Sequence, residues 1–257
     1  MTAMDLPTEI FPTLFAFVPK EIKSLSKGFY ALSKRLKITK NIDLKTLKTL
    51  SAHTLNKIID LRNFKDLDWE VMTYLKNIEV LNLNSNKYIT DEIIKNLQNL
   101  KKLDLTKNMV ITNEGIKDLR KLKILNLGKQ NLITDDGLKN LNLSHLSLRF
   151  NGNITDKAIK NMESLKKLDL GGNFFISNEG IKNLKKLKGL SLSGNFKITN
   201  DGIKELNELT QLDLSWNIKI TDDGIKNLDN LTQLDLTKNY FITNEYKNIN
   251  VIRRNWD

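Results

Sequence analysis

The chain has no cysteine among its 257 residues. That excludes a disulfide framework, a thiolate zinc site and a thiol nucleophile, and it fits a reducing compartment. Only two histidines are present, His53 and His145, and no serine, cysteine or metal constellation accompanies them. No stretch approaches the ~20 apolar residues of a membrane span. The opening lacks a basic start, carries Asp5 and Glu9, and breaks its short apolar run at Pro12, so no secretory signal is expected. The length predicts one or two domains. A hydrophobic fraction of 40% against 28% charged residues predicts a soluble protein with a sizeable core.

Lysine and arginine number 41 against 30 acids, a net charge of +11. Such a surplus attracts anions. Arginine, the better reader of phosphates and bases, occurs only six times. Lysine, asparagine and isoleucine are all abundant, a mix that an AT-rich genome produces without functional meaning. Composition therefore argues against a specific nucleic-acid role.

Self-similarity decides the architecture. A leucine pair recurs at Leu81/Leu83, Leu103/Leu105, Leu125/Leu127, Leu146/Leu148, Leu168/Leu170, Leu190/Leu192, Leu212/Leu214 and Leu234/Leu236. The step is 22 residues, except for 21 into the fourth unit. An imperfect earlier copy centres on Ile59 and Leu61. The alternation of each L-x-L predicts a short, half-buried strand. Asn86, Asn108, Asn151, Asn173, Asn195, Asn217 and Asn239 stand three residues after the second leucine. Their inward amides are expected to bond the backbone of neighbouring turns, with Gln130 serving in the third unit. The Thr or Ser that follows is placed to cap a short helix. The acids after it, such as Asp135/Asp136 and Asp222/Asp223, suit the helix dipole. Lysines after each Gly-Ile, such as Lys139 and Lys226, predict a solvated helix face paired with acids such as Asp135 or Asp222.

This pattern resembles the leucine-rich repeat family over about residues 77–245. The resemblance implies an α/β fold: a solenoid whose curved parallel sheet lines a concave side and whose short helices cover the convex side. One unit cannot bury its own apolar face, so stacking makes the core. The tail, with Tyr246 in place of glycine followed by Val251, Ile252 and Trp256, is expected to cap the C-terminal end.

The first residues read Asp5-Leu6-Pro7-Thr8-Glu9-Ile10-Phe11, then Leu14, Phe17, Val18 and Pro19, then Ser26-Lys27-Gly28-Phe29-Tyr30-Ala31-Leu32. Proline suits a helix start, and Ile10, Leu14 and Phe17 share one face. The segment resembles an F-box, a module that accompanies leucine-rich repeats. That resemblance implies a Skp-family adaptor of a cullin ubiquitin ligase as partner, docked on Leu6, Pro7, Glu9, Ile10, Leu14, Phe17 and Val18. The other reading is a helical cap that shields Ile59 and Leu61. The expected organisation is an F-box-like helical segment over 1–35, a linker with an irregular first repeat over 36–76, and eight repeats with their cap over 77–257.

Residues between the leucines are expected to line the concave face in columns, the middle one running Asn82, Asp104, Asn126, Ser147, Asp169, Ser191, Asp213 and Asp235. Three residues past this column stand Ser85, Lys107, Lys129, Phe150, Gly172, Gly194, Trp216 and Lys238. Phe150 and Trp216 lie three repeats apart, roughly 15 Å, and flank Gly172 and Gly194. Two aromatic walls around a small-residue floor fit a peptide or a projecting side chain. His145, Arg149, Phe150, Asp169, Gly172, Gly194, Asp213 and Trp216 form the expected partner-binding face. Phe174, Phe196 and Tyr240 continue an aromatic ridge in the loops; the first two are expected to pack along the rim. The sequence thus predicts a cytoplasmic binding protein rather than an enzyme, with no cofactor and no metal site. Its partners would be a Skp-family adaptor and a protein substrate. The alternative is a stand-alone scaffold or a secreted microbial effector working in a host cytosol.

Overall fold

A computed structural model describes residues 58–60, 76–129, 131–246 and 249–253. Ten three-residue strands pair in chain order into one sheet. They are β1 Ile58–Asp60, β2 Val80–Asn82, β3 Lys102–Asp104, β4 Ile124–Asn126, β5 His145–Ser147, β6 Lys167–Asp169, β7 Gly189–Ser191, β8 Gln211–Asp213, β9 Gln233–Asp235 and β10 Asn250–Ile252. All pairs are parallel, and leucine faces leucine, as in Leu81↔Leu103 and Leu125↔Leu146. Four-residue helices line the opposite side: α1 Asp91–Ile94, α2 Asn113–Ile116, α3 Asp135–Leu138, α4 Asp156–Ile159, α5 Asn178–Ile181, α6 Asn200–Ile203 and α7 Asp222–Ile225. One continuous apolar core runs between the two layers from Ile78 to Ile242.

The fold is the predicted solenoid. The earlier copy forms β1, with Ile59 opposite Leu81. The tail does more than cap, because Val251 pairs with Leu234 and adds a tenth strand. The missing residue of the 21-residue unit comes out between α3 and β5. Leu141 and Leu143 sit two residues apart there, where Leu119 and Leu122 sit three apart. Strand register is untouched. The expected adaptor-docking residues Leu6, Pro7, Glu9, Ile10, Leu14, Phe17 and Val18 lie outside the described residues, as do Leu61, Gln130 and Trp256.

The asparagines brace the turn after each strand. Asn195 donates from Nδ2 to the Leu170 and Asn173 carbonyls of the preceding repeat, at 3.1 and 2.6 Å. Its Oδ1 accepts from the Lys197 and Ile198 amides at 2.9 and 3.0 Å. Asn108, Asn173, Asn217 and Asn239 repeat this pattern. The third unit departs from expectation. Asn131, one residue beyond Gln130, turns inward, accepts from the Ile133 amide at 3.0 Å and donates to the Leu127 carbonyl at 2.7 Å.

The helix row has its own lateral ladder, in addition to the dipole complementarity expected of its acids. The first helical residue of one repeat bonds the Thr or Ser that opens the next. Where it is aspartate, the next hydroxyl donates to it: Thr112 to Asp91, Thr155 to Asp135 at 2.6 Å, Ser177 to Asp156 at 2.6 Å. That hydroxyl keeps a lone pair for its own helix, and Thr112, Thr155 and Ser177 do cap. Where the residue is asparagine, at 113, 178 and 200, its amide donates to the next hydroxyl. Thr134, Thr199 and Thr221 then make no side-chain cap. The helical glycine leaves room for this ladder: a Cβ on Gly202 would lie 2.6 Å from Asn178 Oδ1. Lys95, Lys117, Lys182, Lys204 and Lys226 pair with the acid at the second helical position rather than the first, as Lys226 with Asp223 at 2.9 Å and Lys182 with Glu179 at 2.6 Å.

Tyr246 ends the row. It stands where a glycine would and donates its hydroxyl to Asp222 Oδ1 at 2.9 Å. Burial, then this bond, pushes the tyrosine up to about 12. Burial works to raise Asp222, but donors on Thr243, Asn244 and Tyr246 outweigh it and hold the carboxyl below its ordinary value.

Replacing Asn195, which is wholly buried, by the near-isosteric leucine strips partners from four backbone groups. Each buried group left unsatisfied costs ~1–3 kcal/mol. Asn195→Leu is expected to lower unfolding stability by at least about 3 kcal/mol in urea titrations.

Candidate functional site

The strands are short because their next amides are served elsewhere. In a longer parallel strand the Thr106 amide would reach toward the Leu83 carbonyl. That carbonyl already accepts from the Asn86 amide at 3.0 Å and the Asn108 side chain at 3.2 Å. Thr106 therefore donates to Asp104 Oδ1, at 2.8 Å. The same turn binds Gly171 to Asp169 at 2.9 Å, Ser215 to Asp213 at 2.9 Å and Thr237 to Asp235 at 2.9 Å. This corrects the expectation for the middle column. Asn82 to Ser191 are buried along it, and only Asp213 and Asp235 are partly exposed. The column braces the face rather than presenting itself. Asp169, named as a contact residue, is fully buried and also accepts from Ser147 at 3.3 Å.

The column three residues further on behaves differently. Ser85, Lys107, Lys129, Phe150, Trp216 and Lys238 all have φ between 54° and 59°, and Gly172 and Gly194 have φ 57°. Their amides reach to the next repeat: Phe150 to the Gly171 carbonyl at 2.9 Å, Trp216 to the Thr237 carbonyl at 2.9 Å. This residue is the third of a four-residue turn closed by the asparagine amide on the leucine carbonyl, as Asn151 on Leu148 at 2.9 Å, and that position takes the left-handed conformation whatever the side chain. For a non-glycine residue that turn costs ~1–2 kcal/mol. Glycines at two of eight positions were the sequence signal for it.

Phe150 and Trp216 point outward from this turn and remain 52% and 57% exposed. The floor between them is narrower than two glycines. The Phe150 ring lies over Gly172, where an added Cβ would sit 3.1 Å from its Cζ. Gly194 has nothing within 4 Å of that position. Gly194 is thus an open slot in the column, between the ring that lies over Gly172 after β6 and the position of Trp216 after β8. Two strand steps, about 10 Å, separate those strands. Arg149 fixes the Phe150 ring, its guanidinium carbon 5.2 Å from the centroid. The same guanidinium covers Gly171 and lies 3.7 Å from Asp169. The neighbouring hydroxyls are engaged internally, Ser191 with Asp213 at 2.8 Å and Ser215 with Ser193 at 2.9 Å.

His145 sits apart, at the start of β5, with Nδ1 2.9 Å from Ser144 Oγ. Burial, then the charges of Lys167, Lys102 and Lys166, lower it to about 4, so it is neutral at pH 7. Among the described residues no group of three or more His, Asp or Glu side chains could hold a metal ion, and no helix is long and apolar enough to cross a membrane.

Beside the slot runs an apolar rim formed by the two positions after each inward asparagine. Phe174 and Phe196 stack there with centroids 6.0 Å apart, yet stay 52% and 43% exposed. Tyr88, Met109, Leu132, Phe175, Ile218, Tyr240 and Phe241 extend it. Beyond the expected Phe174, Phe196 and Tyr240, the fixed offset from the asparagines marks the other members.

Residues 74–97, 96–119, 139–162, 161–185 and 207–228 match the family described as Leucine Rich repeat. No match to a curated protein was found. The chain resembles an internalin (inlF) from Listeria monocytogenes, with TM-score 0.55 and 23% identity, covering 89% of this chain and 74% of that one. It resembles internalin C2 (inlC2) of the same species with TM-score 0.54 and 26% identity, covering 71% and 83%. A third likeness, to TLR13 in its complex with ssRNA13, has TM-score 0.51 and 21% identity, and covers 78% of this chain and 38% of that one. All agree with the solenoid described above.

Because His145 binds its proton less readily when folded than its unfolded value near 6.5, stability is complete above that pH and falls as pH drops toward 4. The ring is partly exposed, so screening trims the effect to about 1 kcal/mol between pH 7 and 5. His145→Gln is expected to remove that part of the slope in urea unfolding across this range.

Proposed function

We propose that this leucine-rich repeat solenoid is a protein-binding module whose concave face grips its partner between Phe150 and Trp216. One observation carries the proposal. The left-handed turn accepts glycine at 172 and 194 without strain, yet holds large aromatics at 150 and 216, more than half exposed. Large aromatic side chains kept in a strained turn while more than half exposed point to a contact outside the chain. The apolar rim beside the slot enlarges the surface available to a partner. Arg149 and Gly172 shape the Phe150 wall, Gly194 is the slot floor, and Asp169 and Asp213 brace the strand ends beneath. His145 belongs to the basic edge of the same face.

In its finer form the module is the substrate receptor of a cullin-type ubiquitin ligase acting in the cytosol. Residues 1–35 would dock a Skp-family adaptor through Leu6, Pro7, Glu9, Ile10, Leu14, Phe17 and Val18. Residues 36–76 would join that segment to the repeats of 77–257, which hold the target. The support is the F-box resemblance of residues 5–32, and chemistry would belong to the assembled ligase, with this chain supplying proximity. A second reading, a stand-alone binding module of microbial origin, is favoured by the 26% identity to internalin C2.

Trp216→Gly should weaken partner binding by roughly tenfold or more, as for an exposed aromatic anchor. It should leave stability unchanged or raise it by up to ~1 kcal/mol, because the turn is relieved. A fall in stability of several kcal/mol would make Trp216 a core residue instead. Co-purification of the full chain with a Skp-family adaptor, lost on Leu6→Ala/Pro7→Ala, is the expected outcome for the ubiquitin reading. Absence of any such complex leaves the stand-alone module.

A further inference from the structure

The left-handed column changes character along the solenoid. It carries exposed lysines at 107 and 129, then Phe150, the glycines and Trp216, and ends on the partly exposed Lys238. Arg149 lies beside the first aromatic. On the same strands, at the other edge of the face, stand the partly buried Lys102 and Lys167. Burial lowers both ammonium groups, and their charges also act on His145. Cations thus gather over β3 to β6. The equivalent positions on β7, β8 and β9 are Gly189, Gln211 and Gln233, with Asp213 and Asp235 partly exposed. The face is basic over β3 to β6 and, apart from Lys238 at its far end, neutral to acidic beyond, and the acids of the basic half, Asp104 and Asp169, are sealed beneath the surface.

We infer that the concave face recognises an extended segment of a protein partner in two parts: a run of acidic residues over Lys107 and Lys129, and an apolar side chain in the Gly194 slot. This inference rests on the protein-binding reading above. Three strand steps, about 15 Å, separate Lys129 from Gly194 along one straight column. An extended chain covers that in four to five residues at ~3.3 Å each. Charge complementarity selects the segment and its direction. The run of cations is broken after β6 by the slot and by Trp216 before Lys238, so it does not form the continuous backbone-tracking groove that a nucleic acid strand uses.

The test uses the full chain and fluorescent peptides of about twelve residues, read by anisotropy. The first carries about three aspartates, a spacer of about four serines and glycines, and a phenylalanine. In the second, lysines replace the aspartates; in the third, the spacer is cut to about one residue. A single-stranded oligonucleotide is the fourth probe. The first peptide should bind at least about tenfold tighter than the second and third. Lys107→Glu/Lys129→Glu should remove most of that binding, while the convex, charge-matched Lys182→Glu/Lys204→Glu leaves it within about twofold. Gly194→Phe, a residue this turn already holds at Phe150, should block the apolar half. Equal binding of the first two peptides, equal damage from the convex pair, or an oligonucleotide that displaces the first peptide would overturn the inference. If Trp216→Gly abolishes capture of a partner that Lys107→Glu/Lys129→Glu still binds, only this inference fails. If Trp216→Gly leaves that capture intact, the protein-binding surface itself is misplaced.

Discussion

Every repeat meets the same constraint after its strand. The backbone must turn from sheet to helix across a stretch where no sheet partner exists, inside a dry core. A buried amide or carbonyl without a partner costs ~1–3 kcal/mol. The inward asparagine resolves this, because one side chain offers two donors and an acceptor of two bonds. Its donors satisfy the preceding repeat and its acceptor the present one. The amide is therefore both a turn and a joint between repeats. Asn131 in the third unit keeps only the turn: it accepts from the Ile133 amide and donates to the Leu127 and Lys129 carbonyls of its own repeat.

The candidate site is a by-product of that brace. By claiming the leucine carbonyl, the asparagine shortens the strand to three residues and leaves the following amide to the Asp or Asn of the middle column. That column is thereby used up. The left-handed residue is fixed by the backbone turn from the leucine carbonyl to the asparagine amide and not by its side chain, so this is the place where side chains vary freely. Lysine, phenylalanine, glycine and tryptophan all occur there. A face built this way can change partner without changing its frame, because the energetics of the turn sit in the backbone.

The helix row follows a parallel logic with opposite freedom. A glycine in a helix is ordinarily unfavourable, yet here a Cβ would strike the Asp or Asn that ties two repeats together. Donor direction along that tie decides whether the threonine also caps its own helix. Tyr246 shows how the series stops: Asp222 still accepts from the Thr243 hydroxyl of the next unit, and the phenol hydroxyl standing in the glycine's place adds a further bond to it. Ala158 in place of glycine and the 21-residue spacing fall in neighbouring repeats, and the row absorbs both without disturbing the sheet.

Periodicity alone determined the solenoid. Leucines every 22 residues can be buried only by stacking in register, so the sheet, the helix row and the earlier copy at Ile59 were all legible. So were the asparagine brace and the outward aromatics Phe150 and Trp216, since each follows from a residue's offset within the repeat. Only the tertiary structure decided which concave residues are available. Whether an aspartate at mid-strand faces a partner or its own backbone depends on where the neighbouring repeat's carbonyl has already gone, and a single unit does not contain that information. The same holds for the tenth strand, whose tail departs from the repeat and pairs because an open edge lies beside it. It holds too for the slot at Gly194, which exists because the Phe150 ring, held by Arg149, lies down on one glycine and leaves the next uncovered.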